Sequence, residues 1–64
     1  MDKDQLKAEL RAEQERQAKD NEKASLSPRT ARFTMDVLKL AHSEEAAAHG
    51  FDDVAQEFRR EIGD

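Results

Sequence analysis

The dipeptide Ser27-Pro28 limits the possible folds of this chain more than any other part of its sequence. Serine at an N-cap position accepts a hydrogen bond from the first turn of a helix, and proline at the next position lacks the N–H group that would stay unpaired there. Proline also disfavours helical geometry at the residue before it, so a preceding helix has to end by Ser27. The dipeptide therefore predicts a helix that begins at Pro28 and a break that divides the chain in two.

The segment 1–24 is highly charged and is expected to form the first helix. It holds six basic and seven acidic residues and no Gly, Pro or β-branched residue, a composition that favours helix. Asp2 can cap this helix, with Gln5 three residues later as in a capping box. Its apolar stripe is thin, because Leu6 and Leu10 are followed by polar residues at the positions that would continue it. Such a helix packs weakly, and we expect it to fray.

The segment 25–28 is predicted to be a linker and N-cap, and the segment 28–64 a pair of amphipathic helices with a break near Gly50. At about 100° per residue, one face of the second helix carries Phe33, Val37, Leu40, Ala41, Ala47 and Ala48. We expect this wide face to pack against neighbouring elements. The side expected to face water carries Arg32, Asp36, Lys39 and Ser43.

The third predicted helix is short, from about residue 52 to residue 62. Its apolar residues follow the spacing of one buried stripe; they are Phe51, Val54, Ala55, Phe58 and Ile62. Gly50 suits the left-handed position that ends a helix. The second and third helices are predicted to be either a bent pair or one kinked helix.

These patterns predict an all-α fold of two to three helices, in which a helical hairpin carries a short third helix. A chain of 64 residues without cysteine buries too little surface to be more than marginally stable alone. We therefore expect dimerisation to complete a helical bundle. The residues predicted for the core or the interface are Phe33, Val37, Leu40, Phe51, Val54, Phe58 and Ile62.

Candidate residues for chemistry are few. His42, Glu45 and His49 lie on one side of the second predicted helix and are weak candidates for a metal site. They form no H-E-x-x-H pattern, and a structural zinc site needs a fourth ligand. Neighbouring carboxylates on a helix point about 100° apart and cannot share one acid/base site. We expect no metal, no cofactor and no catalysis.

Arg29 and Arg32 are weak candidates for contact with nucleic acid. Phosphate binding depends on many basic residues, whereas this chain has a net charge of −4. The third helix would place Asp52 and Asp53 where a recognition helix reads bases. A membrane span needs about 18 consecutive apolar residues, and the longest apolar run is Ala46 to Ala48. We therefore expect neither nucleic acid nor a membrane as a partner.

The sequence thus predicts a small acidic cytoplasmic regulatory or adaptor protein that acts by helix-mediated protein–protein interaction. Its predicted partner is a second copy of the chain, giving a homodimer, another protein, or both. The alternative is a nucleic-acid-linked regulator, an antitoxin-like or copy-control type of helical hairpin.

Overall fold

The computed structural model describes residues 2–63, which form three helices and no strand. The helices are α1 (Lys3–Lys23), α2 (Pro28–Ala48) and α3 (Asp52–Arg60). The predicted all-α class with a short third helix is confirmed. The two ends of the predicted segments, Met1 and Asp64, lie outside the described residues.

Local sequence signals set the ends of the helices. The Asp2 carboxylate accepts a hydrogen bond of 2.8 Å from the backbone N–H of Gln5. The Ser27 hydroxyl accepts one of 3.2 Å from the backbone N–H of Thr30 at the start of α2. Gly50 has a φ of +85° between α2 and α3, where a residue without Cβ adopts the left-handed region at little cost. The second and third helices are therefore separate elements.

The first two helices form an antiparallel hairpin. Gln14 of α1 contacts His42 of α2, and Asn21 of α1 contacts Thr34 of α2. Residue numbers therefore increase along α1 in the direction in which they decrease along α2. Each helix has 21 residues and is about 30 Å long. The link between them contains Ser25, whose positive φ of +55° no sequence pattern indicated.

The third helix covers only one end of this hairpin. Its nine residues span about 14 Å. It runs parallel to the first half of α1, as the pairs Lys3–Asp53 and Arg11–Glu61 show. The core lies at this end, where all three helices meet. Its buried members are Leu6, Leu10, Ala46, Val54, Ala55 and Phe58, with Ala47 and Phe51 packed against them.

The orientation of α2 differs from the prediction. Phe33, Val37 and Leu40 remain 67%, 52% and 47% exposed, whereas Ser43, expected to face water, is completely buried. Nine residues separate Val37 from the buried Ala46, and at about 100° per residue the two lie on opposite sides of α2. Three large apolar side chains of this helix thus point away from the core.

The physical reason lies in α1. Beyond Leu10 its inward side carries Gln14 and Asn21, which are buried. A buried amide that lacks a hydrogen-bond partner costs about 1–3 kcal/mol, so α2 has to present polar groups to α1. It does so with His42 and Thr34.

Candidate functional site

Three large apolar side chains form an exposed stripe along α2. The α2 stripe consists of Phe33, Val37 and Leu40, spaced by four and three residues, and each is about half exposed or more. Ala41 and Ala48 on the same side are exposed as well. Scattered surface apolar residues are ordinary, but a contiguous group on one face is typical of an interaction surface.

The seven residues predicted for the core or the interface fall into two groups. Val54 and Phe58 are buried in the core, and Phe51 packs against it. Ile62 is half-buried. The α2 stripe lies outside the core of the chain. These three residues were predicted for the core or for an interface. They are not in the core, and their role in an interface stays a prediction.

The α2 stripe ends in opposite charges. Arg29 lies about one turn before Phe33, and Glu44 lies about one turn after Leu40. Both are exposed, and neither takes part in an ion pair within the described part of the chain. The surface therefore offers an apolar centre with one basic and one acidic end.

The position of the stripe is held by polar contacts between α1 and α2. The Gln14 Nε2 lies 3.1 Å from Nδ1 of His42. The Asn21 Nδ2 donates a hydrogen bond of 2.6 Å to the hydroxyl of Thr34. These two contacts are about two helical turns apart and fix both the register and the rotation of α2 against α1. Gln14 and Asn21 are among the polar residues that continue the stripe of Leu6 and Leu10 along α1, but no sequence pattern indicated their partners.

Among the buried polar side chains of residues 2–63, only His42 has an atom without a hydrogen-bond partner. It is only 4% exposed, and its Nε2 has no hydrogen-bond partner. The Glu13 carboxylate places an oxygen 3.5 Å from Nε2. When Nδ1 accepts from Gln14, the proton is on Nε2 and faces this carboxylate.

A row of ion pairs joins α1 to α3 on the other side of the core. The Arg11 guanidinium binds both carboxylate oxygens of Glu61, at 2.8 Å and 2.6 Å, and lies 4.5 Å from the centre of the Phe58 ring. Bidentate geometry and contact with an aromatic face are features that favour arginine over lysine. The other members of the row are Lys3–Asp53, Lys7–Glu57 and Arg11–Glu57.

These pairs shift the titration of the carboxylates. The hydrogen bond from Arg11 lowers the pKa of Glu61 below its ordinary value. The hydrogen bond from Lys7 lowers the pKa of Glu57 in the same way. The groups are exposed or nearly so, and ion pairs of this kind each contribute little to stability. The row therefore aligns α3 along α1 rather than forming a reactive centre.

The weak metal candidates do not come together. His42 is buried, whereas Glu45 and His49 line an open cleft between α1 and α2 together with Glu9 and Glu13. Within residues 2–63, no group of three or more His, Cys, Asp or Glu side chains is arranged to hold a metal ion.

The weak nucleic-acid candidates are both exposed near the start of α2. Arg29 stands at the end of the α2 stripe, and Arg32 lines a second cleft together with Met35 and Glu22. They are thus next to apolar and acidic groups rather than in a basic patch. In the described part of the chain, no helix has the length and apolarity needed to cross a bilayer.

No family model matches this chain, and no curated protein or solved structure shows significant similarity to it.

Proposed function

We propose that this chain is a helix-mediated protein–protein interaction module, a small acidic regulator or adaptor of the cytoplasm, and that the α2 stripe is its docking surface. The supporting observation is the exposure of Phe33, Val37 and Leu40 on one side of one helix. This side faces neither α1 nor α3, so a partner can reach it without opening the fold.

The expected strength of docking follows from the exposed fraction of the stripe. Burying one large apolar side chain completely contributes about 1.5–3 kcal/mol. Between a third and about half of each residue is already shielded, so covering all three contributes on the order of 2.5–5 kcal/mol. Association itself costs several kcal/mol. The stripe alone therefore supports weak and reversible binding, which suits a regulator, and charged groups at its rim have to add specificity.

The chemistry of the stripe selects an apolar helical partner, either a second copy of this chain or another protein. Helix-in-groove and helix-on-helix recognition use anchors spaced by three and four residues, as Phe33, Val37 and Leu40 are. The polar interior offers no comparable site, because Gln14 and Asn21 are engaged within the chain. The nucleic-acid alternative rests on two arginines and gains no further support.

Site-specific photo-cross-linking tests the proposal. A photoreactive phenylalanine analogue replaces Val37 in the stripe or, as the matched control, the exposed Gln56 of α3. In native cells we expect protein adducts from position 37 that are lost when Phe33→Asp is added, and no comparable adducts from position 56. Equal adducts from both positions, or none from position 37, contradict the proposal. Adducts that disappear after nuclease treatment favour the nucleic-acid alternative.

A further inference from the structure

The arrangement of residues along the α2 stripe points to a second copy of this chain as its partner. We infer that two copies associate through antiparallel α2 helices, about a two-fold axis that passes between Asp36 and Val37. This inference rests on the proposed docking role of the stripe. It adds the identity of the partner and the register of the contact.

The two outer members of the stripe are symmetric about that point. Phe33 and Leu40 are equally far from the position midway between residues 36 and 37. A two-fold axis there places Phe33 of one copy opposite Leu40 of the second. Next to the axis, Val37 of each copy lies opposite the half-buried Asp36 of the second. The same patch then serves on both copies, as a two-fold interface requires.

The charges of the rim have the same centre. Arg29 and Glu44 are also equally far from the position between residues 36 and 37, so each Arg29 lies opposite Glu44 of the second copy. Both residues are exposed and form no ion pair among residues 2–63. A parallel arrangement would instead oppose like charges and align the helix dipoles unfavourably.

The position of α2 in the fold leaves room for this contact. Val37 lies on the side opposite Ala46, which is packed in the core. The two α2 helices therefore meet at the centre of the pair, and α1 and α3 of each copy remain outside. A stable interface buries about 800 Å² on each partner, about a sixth of the 4502 Å² surface of this chain. Two helices meeting along one stripe bury less, so we expect a weak dimer.

Sedimentation equilibrium of the full chain tests the inference. Between about 10 µM and 1 mM, the average mass should rise from the 7.3 kDa of one chain towards twice that value. Arg29→Glu and Glu44→Arg, each alone, oppose like charges at both ends of the contact. Each should weaken association about tenfold or more.

Mixing the two variants in equal amounts should restore association to about the wild-type level. In the mixed pair, both rim contacts join opposite charges again. General attraction cannot explain such a rescue, because the chain charge of −4 becomes −4 − 2 = −6 in one variant and −4 + 2 = −2 in the other. The matched control mixes the single variants Arg60→Glu and Glu15→Arg, which change two exposed positions away from the stripe. It should leave association unchanged. Far-UV circular dichroism verifies that each variant keeps its helices.

Three results would overturn the inference: a wild-type chain that stays monomeric at about 1 mM, single variants that associate like the wild type, or a mixture without rescue. The cross-linking experiment separates these failures from failure of the docking role. A monomeric chain whose position 37 still cross-links to another protein retains the docking surface and loses only the self-pairing. Absence of both self-association and adducts removes both.

Discussion

Two phenylalanines of this chain, Phe33 and Phe58, differ strongly in burial. Replacing each by alanine tests how α2 and α3 are oriented against the rest of the chain. Phe58 is completely buried, whereas Phe33 is 67% exposed. The Phe58 ring also lies beneath the Arg11 guanidinium, 4.5 Å from its centre, and near the ring of His42. The two substitutions are chemically identical, so any difference between them reports only the surroundings.

The expected magnitudes are far apart. Truncating a buried phenylalanine to alanine costs about 3–5 kcal/mol, because the transfer free energy is lost and a cavity remains. An exposed substitution away from special features changes stability by about 0.5 kcal/mol or less. At about 0.05–0.15 kcal/mol per residue, a chain of 64 residues has a free energy of unfolding of about 3–10 kcal/mol in all. Phe58→Ala thus removes much of the stability, and Phe33→Ala almost none.

Urea denaturation followed by far-UV circular dichroism measures both effects. The protein concentration is kept near 10 µM, so that self-association does not add to the stability of the wild type. Where Phe58→Ala leaves too little folded protein, Phe58→Leu takes its place, with an expected cost of about 1–2 kcal/mol, and Phe33→Leu becomes the control. Equal losses from positions 33 and 58 at this concentration would refute the orientation of α2 described above.

Three further predictions concern polar contacts, pH and the turn before α3. His42→Leu leaves the buried Gln14 amide without its partner and should lower the free energy of unfolding by about 1–3 kcal/mol, measured by thermal unfolding. The double variant with Gln14→Leu should recover most of this loss, and a double variant as unstable as the single one contradicts the polar contact. The pKa of Glu61 is lowered in the folded chain, so the contribution of its ion pair to the free energy of unfolding is complete above the ordinary value of 4.5 and is lost as the pH falls through the folded pKa. Glu61→Gln should therefore reduce the acid-induced fall in melting temperature, and Glu15→Gln should not. Gly50→Ala should cost about 1 kcal/mol, because φ is +85° and a Cβ meets nothing within 4 Å, so that backbone strain alone acts; an unchanged melting temperature would mean that the turn has another conformation.

Local signals were sufficient to place the helices. Ser27-Pro28 marked the start of α2, Gly50 marked the turn before α3, and the spacing of Val54 and Phe58 identified the buried side of α3. Each of these signals acts within a few residues, through a backbone hydrogen bond, a permitted φ or the helical period. Such effects depend little on the rest of the chain, and they can be recognised before any tertiary contact is known.

The side of α2 that turns inward could not be predicted in this way. The helical period states which residues share a face, but not what the neighbouring helix needs to contact. In this chain α1 contributes buried amides, Gln14 and Asn21, and their hydrogen-bond requirement places His42 and Thr34 inside. Leaving these two amides without partners would cost about 2–6 kcal/mol, which is comparable to the roughly 2.5–5 kcal/mol that covering the exposed part of the stripe contributes. Both free energies depend on how α1 and α2 contact each other, so the exposure of the candidate site on α2 is decided by the packing of the two helices.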